Sequence, residues 1–321
     1  MPRSRTRVPR RPVHGVLLLD KPLGLSSNDA LQRVKWLLRA EKAGHTGTLD
    51  PLASGVLPVC FGAATKFSQL HLDADKTYHA RLRLGVQTTT GDAEGEVVRV
   101  RPIVHDADDI HRVLAQFTGP ILQVPPMHSA LKHDGRALYE YAREGVAVER
   151  EARPVTIFEL QWLDAGANQG FDAIEIRVKC SKGTYIRTLA EDIGEALGCG
   201  AHLTALRRVA TGPFALDAAL TLEQIETCAE DERLGLLRPV EDLLSGCPPV
   251  VLSSEDAGRF LSGMRRRGAW PDAPLVAVYG SQPRALLGTG EVRGGELIPR
   301  RLLSPVEIEQ ILEILETPAG D

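Results

Sequence analysis

The alternation of apolar and polar positions divides this chain into recognisable elements. Val16 to Leu19 form a short apolar run of the kind a buried strand makes, and Asp20-Lys21-Pro22-Leu23-Gly24 ends it in a turn. Ser26, Ser27 or Asn28 then caps a helix reaching Ala40, with Leu31, Val34 and Leu38 as its inner stripe. Residues 76–84 alternate strictly. Tyr78, Ala80, Leu82 and Leu84 face one way and Thr77, His79, Arg81 and Arg83 the other, which predicts a strand. Gly85 to Glu96 is polar, a loop or hairpin, and Val97 to Val100 offers a short edge strand. His105 to Phe117 carries Ile110, Val113, Leu114 and Phe117 at helical spacing, with acids in the first turn and a stop at Thr118-Gly119-Pro120.

The second half repeats the pattern. Residues 172–180 alternate, with Ile174, Ile176, Val178 and Cys180 opposite Glu175, Arg177 and Lys179. Thr188 or a neighbour opens a helix whose stripe is Leu189, Ile193, Ala196 and Leu197, closed by Gly198. The segment 217–243 is acidic and helical-looking, and Ser245-Gly246-Cys247-Pro248-Pro249 after it reads as a domain boundary. Beyond it, short apolar pieces separated by Gly and Pro have the rhythm of a small β-barrel.

Composition narrows the classes. At 321 residues the chain suits one large domain or two unequal ones, and 43% hydrophobic content is that of a globular protein. No apolar run approaches the roughly 18 residues that span a bilayer, and no signal-peptide core follows the basic start, so a cytoplasmic protein is expected. Five scattered cysteines argue against a disulfide framework, and no second Cys or His pair accompanies Cys199 and His202 to make a metal site. Net charge is −4, but residues 217–242 alone hold eight acids against two arginines, leaving the rest of the chain at +2. An acidic lobe pointing away would leave basic clusters free to dock phosphates.

The stretch Gly44 to Gly55 stands out chemically. Three glycines in twelve residues permit unusual backbone angles, and Pro51 biases Asp50 toward an extended, outward-facing position. An acid presented in this way is a candidate nucleophile or general base; an ordinary Asx-type turn would look the same. Lys21 in its turn and Arg187 at a strand-to-helix junction are ordinary exposed cations on spacing alone, and His45 an ordinary loop histidine.

Four segments, in order, resemble one family. They are LLLDKPLGLSSNDALQRVK (17–35), GHTGTLDPLASGVLPVCFGAATKFSQ (44–69), DKTYHARLRLG (75–85) and CSKGTYIRTLAEDIGEALGCGAHLTALRR (180–208). They are similar to the TruB family, the tRNA pseudouridine-55 synthases. The resemblance implies an α/β (α+β) fold: a catalytic domain on a mixed, largely antiparallel sheet over 13–246, a thumb-like insertion at about 123–150, and a small C-terminal β-rich PUA-like RNA-binding domain over 247–321. A basic disordered arm would fill 1–12.

The implied reaction isomerises a uridine in the T-loop of tRNA. Asp50 would be the nucleophile, Arg187 the partner that holds its carboxylate, Tyr78 the ring stacked on the base, and Leu206 the dry surface beside it. His45 would fill the position vacated when the uridine flips out, Lys21 would border the cleft, and Tyr185 would join the substrate-binding set. On the insertion, Lys132, His133, Arg136 and Arg143 would grip the T-arm stem-loop, basic residues interleaved with aromatics as RNA contacts often are. Where the family often carries tyrosine, this chain has His128. The chemistry calls for no metal and no cofactor, and a monomer acting on tRNA away from any membrane is expected. Two other classes remain open on the residues: an RNA-binding module without catalysis, and a retaining glycosidase. The latter would need a second carboxylate beside Asp50, for which Asp20, Asp75 and Glu191 show no recognisable pairing.

Overall fold

The computed structural model describes residues 9–163 and 172–316. Most of the expected arm, residues 1–8, lies outside the described residues. Its last residues are built into the domain: Arg11 N–H donates to Arg39 O at 2.8 Å, and Arg11 bridges Ala40.

Ten strands form the main sheet. Along its path lie Leu220–Thr221, Gly15–Lys21, Ala53–Phe61, Ala201–Thr211, Lys76–Leu84, Ala173–Cys180, Arg153–Trp162 and Gly119–Gln123, with Ala43–His45 and Phe214–Ala215 attached at the side. Two pairings are parallel, Gly15–Lys21 with Leu220–Thr221 and Ala53–Phe61 with Ala201–Thr211; the rest are antiparallel. The strands expected at 76–84 and 172–180 are present almost to the residue.

Period-two patterning explains how two layers share this sheet. In Gly15–Lys21, Leu17 and Leu19 enter one core while Val16 and Leu18 enter another. Ala53–Phe61 does the same, with Leu57, Val59 and Phe61 on one face and Val56 and Cys60 on the other. The first core is roofed by the helices Ser27–Leu37, Ala107–Gln116 and Ile186–Ala196. The second is closed by the C-terminal part: Ala277, Leu286 and Leu303 pack with Val16, Leu18, Val56 and Phe67. That part is a five-stranded sheet in the order Pro249–Leu252, Ala273–Ser281, Arg284–Arg293, Glu296–Leu302, Arg266–Arg267. Polar ties reinforce the junction. Lys66 Nζ donates to Glu307 at 2.6 Å and to Leu302 O at 3.0 Å. The backbone N–H of Ala63 donates to His14 Nδ1, which leaves Nε2–H to donate to Gln310 Oε1 at 2.8 Å.

Three sequence expectations need revision. The first helix ends at Leu37 rather than Ala40, because Arg39 takes a left-handed conformation (φ 52°) that turns the chain. The acidic 217–243 segment is no continuous helix but a string of short pieces, of which Leu222–Thr227 is the α-helical one. Arg233 is the reason: its guanidinium takes the carbonyls of Ile225, Glu226 and Cys228, the acceptors a continuing helix would have used. Two ion pairs tie this segment to the first helix and the turn after it. Glu226 pairs with Arg33 at 2.6 Å and Glu230 with Arg39 at 2.8 Å. The helices Ser254–Leu261 and Pro305–Glu316 lie where only short β pieces were expected.

Candidate active site

The Asp50 turn is held from below by residues distant in sequence. Ser27 Oγ accepts from Leu49 N–H at 2.7 Å and donates to Leu49 O at 2.9 Å, fixing the residue before Asp50. Gly24 N–H donates to Pro51 O, and Ala53 N–H to Asp50 O, closing the turn on its other side. These bonds satisfy the backbone, so the Asp50 carboxylate is free to face outward.

Its partner comes from another layer. Tyr185 is the N-cap of the helix Ile186–Ala196, and Arg187 in its first turn projects toward the turn, Nη2 2.9 Å from Asp50 Oδ2. The Asp50 side chain is 44% exposed and that of Arg187 only 8%. A buried, immobile cation thus holds an accessible carboxylate. Arg187 is itself fixed by Thr90 O, by His128 O at 2.7 Å and, through Nε, by Asp92 at 3.6 Å. Asp92 is buried and accepts from Thr90 Oγ1 at 2.5 Å and from Glu94 N–H at 3.1 Å.

The remaining predicted residues divide into two places. Lys21, Tyr78 and Tyr185 all surround Asp50 closely enough to feel its charge. Lys21 is wholly buried, donating to Pro22 O and Leu25 O. Burial pulls its ammonium down to about 8, with Asp50 acting in the opposite sense. Burial pushes both the Tyr78 and the Tyr185 phenols up. Leu206 lies between Ala53 and Ala80 in the register, on the same face as Tyr78 because the two strands pair Leu206 with Ala80 and Arg208 with Tyr78. His45 ends the short strand Ala43–His45 and is half-buried; burial, then the charge of Arg208, lowers its pKa.

Lys132, His133, Arg136 and Arg143 form a separate group. The hairpin Lys132–His133 with Arg136–Ala137 leads into the helix Leu138–Arg143. Arg136 is occupied within this unit, bonded to Glu144 at 2.6 Å and lying 4.6 Å over the Tyr141 ring. Arg143 lies over Tyr139. Asp20, a candidate second carboxylate, is bound to Arg207 at 2.7 Å.

Two participants escaped sequence reasoning. Asp92 sits in a polar loop where nothing local distinguishes it from Asp106 or Asp108. Arg208 follows Arg207 with nothing local to single it out, although its position two residues after Leu206 on a strand puts both on one face. Among the described residues no three His, Cys, Asp or Glu side chains converge as metal ligands, and no helix is long and apolar enough to cross a membrane.

Known proteins resemble this chain along most of its length. Residues 35–186 match the TruB family pseudouridylate synthase N-terminal domain, 187–245 the tRNA pseudouridylate synthase B C-terminal domain, and 248–303 the pseudouridine synthase II TruB C-terminal domain. The tRNA pseudouridine synthase B of Verminephrobacter eiseniae is 62% identical over 97% of this chain and 95% of its own length. That of Ralstonia nicotianae is 56% identical over 94% and 98%. Among solved structures, a Cbf5–Nop10–Gar1 complex contains a chain 28% identical, superposing with a TM-score of 0.69 over 92% of this chain and 86% of that one. Matched by these family models from residue 35 to 303 and by relatives along nearly its whole length, the chain belongs to the TruB family of pseudouridylate synthases.

Proposed function

We propose that this protein converts the uridine at position 55 in the T-loop of tRNA to pseudouridine, with Asp50 as the nucleophile. The observation that carries this reading is the accessible Asp50 carboxylate held 2.9 Å from the buried Arg187 guanidinium. A carboxylate so placed can form and release a covalent adduct, and the fixed cation keeps it aimed. The name shared by the curated relatives supports tRNA as the substrate.

In this reading the uridine is first everted from the loop, at a cost of a few kcal/mol. Tyr78 stacks on the base and Leu206 and Tyr185 wall the pocket, keeping the freed uracil while it turns. The N1–C1′ bond breaks, C5 joins C1′, the C5 proton leaves, and N1 ends protonated, so mass is unchanged. His45 takes the vacated place in the loop and Lys21 borders the cleft. Residues 13–246 carry the chemistry, the 123–150 insertion grips the T-arm, and 247–321 adds RNA-binding surface. The protein acts as a cytoplasmic monomer without a cofactor.

The test is conversion of a T-arm hairpin by wild type and Asp50→Asn, read by carbodiimide probing and mass spectrometry. The variant is expected to make no pseudouridine while binding the hairpin within a few fold of wild type. Conversion by Asp50→Asn, or release of free uracil by wild type, overturns the reading.

A further inference from the structure

Among the described residues, the largest wholly buried side chain is a charged one, Arg208, 1% exposed in the strand Ala201–Thr211. A guanidinium out of water is costly unless every donor is used, and an apolar residue of similar size would fill the same space more cheaply. Its donors go to specific places. Nε donates to Val56 O at 2.8 Å and Nη2 to Gly47 O at 3.0 Å, so one group grips the backbone on both sides of Asp50. Directly across the antiparallel register stands Tyr78, on the same face and near enough for its phenol to favour the guanidinium charge. Gly47 makes room for this: a Cβ there would lie 3.2 Å from Arg208 Nη1.

The surrounding charges do not account for an arginine here. Lys21, His45, His71 and Lys76 are all near enough for Arg208 to disfavour their charged forms. Burial disfavours the guanidinium charge, and the Tyr78 phenol opposes that effect. The group is therefore tied to Tyr78 and to the Asp50 turn, not to a carboxylate.

We propose that Arg208 is a positioning residue, its buried guanidinium locking the Tyr78 ring in fixed relation to the turn that presents Asp50. The inference rests on the roles given above to Asp50 and Tyr78. It makes two parts of the site, carried by different strands, move as one body, which in-line reaction of an everted base demands.

A double-mutant cycle tests it. Single-turnover conversion of the T-arm hairpin is measured for Arg208→Lys, Tyr78→Phe and the double variant, with hairpin affinity alongside. Each single variant is expected to slow conversion by at least about tenfold, and the double to be no more than about threefold slower than the slower single. Affinities stay within about threefold. Rate losses that multiply, or wild-type conversion by Arg208→Lys, overturn the proposal. Should Arg208→Lys not fold, Tyr78→Phe alone decides through amide hydrogen exchange across residues 47–56. Exchange at least about tenfold faster than in wild type is expected, and unchanged exchange overturns it. This readout needs no catalysis, so it separates from failure of the Asp50 assignment, which an active Asp50→Asn would reveal.

Discussion

Arg187 Nη2 lies 2.9 Å from Asp50 Oδ2. The same planar fork faces Asp92 through Nε at 3.6 Å and takes the carbonyls of Thr90 and His128. Only a guanidinium can serve four acceptors in these directions; a lysine ammonium is a single point charge on a flexible stem. Arg187→Lys is expected to reduce single-turnover conversion by at least about a hundredfold, the order that an ångström of misplacement costs. Affinity for the T-arm hairpin should change little, because Arg187 is buried. Filter binding and quench-flow measure the two, and a rate within tenfold of wild type contradicts the geometry.

The close approach at Gly55 makes a stability prediction. Gly55 has φ +107°, and a Cβ there would lie 2.2 Å from Arg208 O and 2.7 Å from Arg208 N, backbone atoms of the paired strand. Gly55→Ala combines a strained conformation with a clash that no side-chain rotation relieves. A loss of at least about 2 kcal/mol is expected in urea unfolding. An unchanged denaturation midpoint would show that the parallel pairing yields more easily than its geometry implies.

His71 makes stability sensitive to acid. It is buried, in tilted ring contact with Phe214 and bonded to Thr211, and burial lowers its pKa to about 4. Above pH 6.5 the ring is neutral in both folded and unfolded chains and its contribution is fully present. As pH falls from 6.5 toward 4 the unfolded chain takes up a proton that the folded one refuses, so stability is lost, by at most about 3 kcal/mol. His71→Gln keeps a polar partner for Thr211 without titrating. Its denaturant midpoint should fall less than that of wild type between pH 7 and 4.5, and parallel curves would contradict the assignment.

The insertion permits a contrast between two arginines. Arg136 is held by Glu140 and Glu144 and stacked on Tyr141, so its charge is spent within the unit. Lys132→Ala together with Arg143→Ala should weaken hairpin binding and flatten the salt dependence by a slope of roughly 1–2, one per lost phosphate contact. Arg136→Ala should leave that slope near the wild-type value while lowering the thermal stability of the insertion. Equal slopes for wild type and both variants would remove the insertion from the RNA interface.

Elements governed by their own residues were legible along the chain. Ser26 caps the first helix by accepting from Asp29 N–H, and Asp106 and Asp109 form a reciprocal capping box on the helix Ala107–Gln116, both from neighbours three positions apart. Strict alternation fixed Lys76–Leu84 because its two faces meet different surroundings. The acidic segment has a helical composition, but the bonds of Arg233 to Ile225, Glu226 and Cys228 follow from the way the segment folds back on itself, which composition does not carry. Likewise, the helix Pro305–Glu316 exists because Ile308 and Ile311 complete a core begun at Val16 and Phe67.

The residue order of this chain predicted an outward-facing Asp50: the glycines and proline around it bias the backbone toward a turn by short-range sterics. What holds that carboxylate was decided only by folding. Arg187, Asp92 and Arg208 come from a helix, a loop and a strand that share no local pattern, and pairing between distant segments brings them within bonding distance of the site. Torsional preferences act between neighbours and can be read in sequence. Hydrogen bonds and ion pairs act through space, and the space is made by the sheet.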